Sequence, residues 1–425
     1  MIELPEKFIQ RMKSALGADF LPFVNSYSSP AQKGVRVNTL KIPVADFLKI
    51  APFALEQTPF EPAAFYADGE SLGKTLEHAA GLYYVQEPSA TCAVPALNVR
   101  EGERVLDLCA APGGKSTQIA AYLNGTGVLV SNEINLSRAK ILSQNIERLG
   151  VKNAVVTCAS PDRLAEKFKN CFDKILVDAP CSGEGMFKKE DAAVREWSEE
   201  NVAACAVRQR GILAAADKML ASGGRIVYST CTFAPAEDEE QINNFLAEHP
   251  DYELIEMKKL YPHEVRGEGH FYAVLEKRGT DCGAFPPIKP AVAKKTAEIY
   301  GAWERENLKV QFRNLHEAEG VLYSLPDGCP DLSGLHVLRA GVRLGEIKGS
   351  IFTPSHAIAA CLKSGEASAE EVDGKTALNY LLGLTFPAQG KGWKLVTYNG
   401  FPLGWCKVSD GVAKNHYPKG LRINK

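Results

Sequence analysis

The chain has 425 residues, 45% of them apolar and 24% charged. These values exclude a disordered polymer, a fibrous protein and a minimal disulfide scaffold, and they leave room for roughly two to four domains. No run approaches the ~18 apolar residues of a membrane span. The opening Met1-Ile-Glu-Leu-Pro-Glu-Lys7 carries acids where a secretory signal needs an apolar core, so a soluble, cytoplasmic protein is expected. The formal charge of −2 gives no sign of a polyanionic partner. Residues 391–425 are different. Lys391, Lys394, Lys407, Lys414, Lys419, Arg422 and Lys425 stand against Asp410 alone, a local balance of +6. Such a patch suits phosphates, although a solvated tail would read the same way. The eleven cysteines form an odd set without a CxxC pair, and most sit in apolar runs. Reduced cytosolic thiols are expected, with no disulfide framework and no metal.

In chain order, Phe8, Met12 and Leu16, with Phe20 further on, mark an amphipathic opening helix. A turn-rich stretch follows and ends near Gly81. From Arg104 strands and helices alternate. Val105–Leu108 is a strand, Gly113-Gly114 a turn, Ser116–Leu123 a helix, Val128–Val130 a strand and Leu136–Leu149 a helix. Val155-Val156, Ile175–Val177 and Arg225–Tyr228 supply three more strands. This alternation predicts an α/β fold with an open, doubly wound, mainly parallel sheet. Residues 281–296, rich in Pro, Lys and Ala, read as a linker. The remainder, broken by Gly and Pro, fits a small β-rich module. The expected organisation is an N-terminal α+β extension over 1–80, a central domain over 81–280, the linker, and a C-terminal region over 297–425.

Three segments carry chemistry. Asp107-Leu-Cys-Ala-Ala-Pro-Gly-Gly-Lys115 follows a strand and opens a helix, where glycines let backbone approach a ligand. Its Gly114-Lys115-Ser116 ending resembles a P-loop, but that motif needs glycine where Cys109 stands. Glu133, just past the next strand, is placed to bind the two hydroxyls of an adenosine ribose. The alternative for Glu133 is an acid complementing the dipole of the following helix. Asp178-Ala-Pro-Cys-Ser-Gly183 and Ser229-Thr-Cys231-Thr each end an apolar strand. Ligands of open α/β sheets bind at that edge, so Cys181 and Cys231 are candidate nucleophiles, although free cysteines more often pack as small hydrophobes.

These segments, with Gln86-Glu-Pro-Ser-Ala90 and Arg36-Val-Asn38, make residues 81–278 resemble the catalytic domain of the Sun family of RNA cytosine-C5 methyltransferases. Lys188-Lys189, Gly267-Glu-Gly-His270-Phe, Gly400-Phe-Pro-Leu-Gly-Trp405 and the run Lys414–Arg422 are similar to the bacterial RsmF branch. That branch acts on small-subunit ribosomal RNA and carries a C-terminal PUA-like RNA-binding domain. The resemblance implies a Rossmann-like class I methyltransferase sheet and S-adenosyl-L-methionine as cofactor. It makes ribosomal RNA, alone or within the small subunit, the partner, with no membrane and no metal. It also implies RNA- or substrate-holding roles for 1–80 and 297–425.

By the same resemblance Cys231 is the nucleophile that adds to cytosine C6, Cys181 helps to resolve the adduct, and Asp178 binds the N3–N4 edge of the base. Lys115 is a candidate for the base carbonyl. Cys109, Ala110, Ala111, Pro112, Gly113, Gly114, Lys115, Glu133 and Asp178 would hold the cofactor. Ser160 stands where the family often has an adenine-binding Asp, with Asp162 two residues on. Cytosine methyltransferases acting on DNA use the Pro-Cys cysteine, here Cys181, and Thr230-Cys231 favours the RNA scheme. A catalytically silent RNA-binding or ribosome-assembly factor on the same fold is the alternative. It predicts a degraded nucleophile or cofactor turn, and both are intact.

Overall fold

The computed structural model describes residues 3–69, 71–281, 283 and 285–423; Met1, Ile2 and the tail residue Lys425 lie outside them. The centre is one eight-stranded sheet. We label its strands β1 (Arg104–Asp107), β2 (Val128–Asn132), β3 (Ala154–Thr157), β4 (Phe172–Asp178), β5 (Leu220–Thr230), β6 (Tyr252–Leu260), β7 (His270–Lys277) and β8 (Val337–Ala340). Their order is β6-β7-β5-β4-β1-β2-β3-β8. β1 to β5 run parallel, β7 is antiparallel to β5 and β6, and β8 is antiparallel to β3.

The two-residue period of the strands loads both faces, as a sheet covered by helices requires. Leu106, Val130, Ile175, Val177, Ile226 and Tyr228 join one buried cluster; Val105, Leu129, Leu176 and Val227 join the cluster on the opposite face. The helix expected from Ser116 starts at Gly114. The next helix, Leu136–Arg148, is capped by Asn135, whose side chain accepts from the Ser137 and Arg138 amides.

The N-terminal extension is helix Glu6–Leu16, a second helix Phe20–Ser26 and a four-stranded antiparallel sheet containing Gly34–Val37, Ala64–Asp68 and Tyr83–Val85. Phe8, Met12 and Phe23 pack on Phe187, Trp197 and Phe233, which flank the two cysteine loops. The small sheet shares its core with the C-terminal segment: Val35, Phe47 and Tyr83 are buried with Tyr380, Val396 and Cys406.

Three readings of the sequence gain detail here. The stretch read as a linker is anchored, because Phe285 packs edge-on against Phe168 and Phe172 and a helix already begins at Lys294. The C-terminal region is not self-contained, since its strand β8 extends the central sheet. The basic stretch from 391 is no solvated tail: Gly392–Tyr398, Phe401–Ser409 and Val412–Asn415 form antiparallel strands, and Trp405 is fully buried.

Candidate active site

β4 and β5 are neighbours and parallel, with Asp178 in register with Ser229, so the loops leaving them start side by side. The thiols of Cys181 and Cys231 consequently meet, Sγ to Sγ, at 3.2 Å. The approach is held from behind. Glu237 accepts from the Ser182 amide at 3.0 Å, from the Ser182 hydroxyl, and from Gln209 Nε2 at 2.9 Å. Ser182 and Thr232, each one residue beyond a cysteine, share a hydroxyl hydrogen bond of 2.8 Å. Glu184 accepts from Trp197 Nε1, the Phe233 amide and Arg11, tying the N-terminal helix to both loops. The hydrogen bond to Cys231, then burial, pushes the Cys181 thiol well above its ordinary range. Cys181 therefore rests protonated, and its thiol shares a hydrogen bond with that of Cys231.

Asp178 ends β4 beside the thiols. It accepts from Lys115 Nζ at 2.8 Å and from Ser229 Oγ at 2.8 Å, and His270 Nε2 stands 3.9 Å away. Burial alone would raise its carboxyl, but the Lys115 ammonium and the hydrogen bonds from Lys115 and Ser229 outweigh it and hold Asp178 below the usual carboxylate range. Burial opposes the Lys115 charge, and Asp178 more than restores it, so the lysine is held above its ordinary value. The pair is ionised across the neutral pH range.

A cavity of about 770 Å³ opens over these groups. Cys109, Ala111, Lys115, Glu133, Asp178, Cys181 and Cys231 line it. Glu133 is 3% exposed; one oxygen accepts from the Asn135 amide at 2.9 Å and the other faces Arg138 at 3.3 Å. Glu133 thus supports the start of the following helix and also faces the cavity.

The other expected cofactor residues sit differently. Ala110, Pro112, Gly113 and Gly114 shape the turn without lining the cavity. Gly113 is needed for its φ of +112°, and a Cβ on Gly114 would lie 3.2 Å from the Tyr84 ring, so this glycine admits the N-terminal sheet and not a ligand. Ser160 is exposed and caps the helix Pro161–Lys167 by accepting from the Arg163 amide. Its neighbour Pro161 lines the cavity in its place. Arg36 and Asn38 likewise turn inward. Arg36 donates to the Gly114 carbonyl and Thr117 Oγ1, each at 2.7 Å, and Asn38 donates to the Gly81 and Leu149 carbonyls. They lock the extension onto the central domain.

Sequence reasoning missed the clamp Glu237 and gave His270 no role. The signal for Glu237 was an acid soon after the Cys231 strand end, at the start of a helical run; for His270 it was a lone imidazole opening an apolar strand.

Comparison with known proteins places the chain in a family. The family model for 16S rRNA methyltransferase RsmB/F matches residues 94–276. Those for the N-terminal, first C-terminal and PUA domains of RsmF match 4–88, 302–362 and 368–423. The chain is 33% identical to ribosomal RNA small subunit methyltransferase F of Klebsiella pneumoniae, over 99% of this chain and 97% of that one. It is 32% identical to the protein of the same name from Vibrio vulnificus, over 100% and 98%. Among solved structures, a methyltransferase homolog from Pyrococcus horikoshii aligns with a TM-score of 0.59 and 28% identity, covering 65% of this chain and 96% of that one. The NSun6 structure from the same organism, solved with SFG, has a TM-score of 0.59 at 22% identity, covering 65% and 99%. That last likeness is one of fold.

Proposed function

Because this chain belongs to the RsmB/F family of 16S rRNA methyltransferases, we propose that it transfers the methyl group of S-adenosyl-L-methionine to C5 of a cytosine in small-subunit ribosomal RNA, through a covalent Cys231–C6 adduct. The observation that carries this reading is the thiol pair at 3.2 Å beside an ionised Asp178–Lys115 pair. The residues suit the cofactor. The Glu133 carboxylate matches a ribose diol, Ile134 and Pro161 offer apolar surface for a base, and the thiols stand in the same cavity. When bound, S-adenosylmethionine supplies an electrophilic sulfonium methyl group. No helix among the described residues is long and apolar enough to cross a membrane, and a ribosomal RNA substrate is consistent with work in the cytoplasm, on free RNA or the assembling subunit. Residues 1–80 and 297–425 would hold the RNA.

Cytosine C5 is too poor a nucleophile to be methylated unaided. The Cys231 thiolate adds to C6, the C5–C6 π bond breaks, and its electron pair passes to C5 with the negative charge shared by N3 and O2. Asp178, ionised, accepts from the exocyclic amine. Once C5 carries its methyl group, its proton must leave so that the ring can expel Cys231 as thiolate. Cys181 is in place for that. While Cys231 is a thiolate, a second negative sulfur 3.2 Å away is disfavoured; once Cys231 is a neutral thioether the penalty disappears, and Cys181 can release its proton to water and, as thiolate, take the proton from C5. The target base must leave its stack, so unpaired or loosened RNA is the expected substrate.

The test is incubation with labelled S-adenosylmethionine and small-subunit RNA, free or assembled, followed by bisulfite mapping. Cys231→Ala should lower methylation by at least ~10⁴-fold and form no adduct. Cys181→Ala should leave a protein–RNA complex that survives denaturing electrophoresis. Trapping by Cys231→Ala instead would exchange the two roles. Full activity in both variants would reduce the thiols to packing.

A further inference from the structure

His270 is the first residue of β7, and the antiparallel pairing of Phe271 with Thr230 carries it to the place opposite Cys231. Its ring is buried, 2% exposed, and lines the cavity with Cys231, Cys181 and Asp178. Neither Nδ1 nor Nε2 has a hydrogen-bond partner. The carboxylate facing it, through Asp178 Oδ1, is 3.9 Å from Nε2 and already bonded to Ser229. A buried polar group left unpaired keeps its full desolvation cost, and this ring leaves two. The neighbouring charges are otherwise engaged: Lys115 with Asp178, and Lys188 with Glu268 at 3.0 Å.

We infer that His270 is a catalytic residue whose neutral imidazole donates one N–H to the N3–O2 edge of the target cytosine. This rests on the cytosine reading above. Addition of sulfur to C6 pushes electron density onto N3 and O2, so the reaction needs a donor at that edge. Asp178 cannot serve, because it is an ionised acceptor occupied with the amine side of the base. A charged imidazole would compete for Asp178, but His270 stays neutral: burial, with Lys115 adding to it, pushes the ring down to about 3. A neutral N–H fixed in a buried site stabilises charge as it develops, which is worth far more there than in water.

The experiment uses the full chain and small-subunit RNA carrying 5-fluorocytidine, whose adduct cannot lose fluorine from C5 and so accumulates. The first-order rate of adduct formation is read on denaturing gels at saturating S-adenosylmethionine. His270→Phe fills the space and removes both unpaired nitrogens. It should slow adduct formation about 100-fold, leave the cofactor Kd unchanged within about twofold, and not lower the Tm, since apolar replacement removes an unsatisfied buried group. His270→Gln restores a donor and should recover at least about tenfold of the loss. Adduct formation by His270→Phe within about threefold of wild type would overturn the assignment, as would His270→Gln performing no better than His270→Phe. If wild type methylates ordinary RNA yet traps no fluorinated RNA, the C6-addition reading falls first and this role falls with it.

Discussion

The cavity at the strand ends and the cavity at the domain junction enclose similar volumes, about 770 and about 680 Å³, and both contain histidine, arginine and carboxylate. They differ in what their polar groups are doing. At the junction, where the extension, the helix Leu136–Arg148 and the C-terminal region meet, the cations are spent on the chain itself. Arg148 donates to the His78 and Tyr83 carbonyls at 2.9 and 3.2 Å, Lys41 to the Ala80 and Arg148 carbonyls at 2.7 and 3.0 Å, and Arg339 pairs with Glu147 at 2.8 Å. Even there His356 leaves Nδ1 unpartnered, but its ring packs edge-on against Tyr417. At the strand ends two thiols touch and an imidazole has no partner. Volume and burial do not tell the two apart; the presence of reactive groups left free does.

Removing a junction cation should therefore cost stability and nothing else. Arg148→Ala removes two charge-assisted hydrogen bonds, to the His78 and Tyr83 carbonyls, so ΔG of unfolding should fall by ~2–4 kcal/mol, read by denaturant titration. The Kd for S-adenosylmethionine should not change. A loss of cofactor affinity at unchanged stability would make the junction a functional site and erase the contrast. At the strand ends the expectation reverses. Glu133→Ala should weaken S-adenosylmethionine by ~1–3 kcal/mol, the worth of charge-assisted hydrogen bonds, with calorimetry as the readout. Unchanged affinity would leave Glu133 only its bond to the Asn135 amide.

The same contrast marks what could be read in the sequence. Cys181 and Cys231 were legible because each follows an apolar strand by a few residues, and a parallel sheet brings such ends together without further information. The glycine turn was legible as a turn but not in its detail: Gly114 faces Tyr84, a residue 30 positions earlier, and no local pattern announces that neighbour. Ser160 was misplaced for a similar reason, since a serine before proline is equally a helix cap, and the cap is what the backbone needed. Over 391–425 the charge was legible from the Lys/Arg count and the β-rich module from the Gly- and Pro-broken pattern, but neither shows which aromatic rings turn inward. Trp405 fills the core between Trp303 and Trp393. Strand β8 was invisible, because joining a sheet edge some 180 residues upstream is a matter of topology and not of period.

A subtler difference lies at the floor of the catalytic turn. Asp107 is fully buried; one oxygen accepts from Ser116 Oγ at 2.6 Å and the other has no partner. Burial, opposed by the Ser116 hydrogen bond, pushes its carboxyl up to about 7. The folded chain then holds this proton more tightly than the unfolded one, so stability falls as pH rises from the ordinary aspartate range toward 7 and changes no further above it. Asp107→Asn cannot titrate and can keep the Ser116 hydrogen bond. Its Tm advantage over wild type should grow by ~2–4 °C between pH 5 and pH 8. An advantage independent of pH would mean that Asp107 is already ionised at pH 5.

The smallest effect is expected on the exposed face of the C-terminal sheet. Lys407 and Lys414 stand directly opposite each other on adjacent strands, and Lys407 also lies 5.5 Å over the Trp393 ring. Like charges facing across a strand pair are destabilising, and both lysines are exposed, so folding alone gives no reason for the arrangement. An RNA phosphate between them would. Lys407→Ala with Lys414→Ala should leave Tm equal or slightly higher and cofactor affinity intact, while the log–log salt dependence of RNA binding flattens by roughly 0.7–0.9 for each phosphate no longer neutralised. Because the C-terminal segment shares its core with Val35, Phe47 and Tyr83, these substitutions are a cleaner probe than deleting the segment, which would strip the N-terminal sheet of its cover. An unaltered slope would return the pair to solvated surface and place the RNA path on another face.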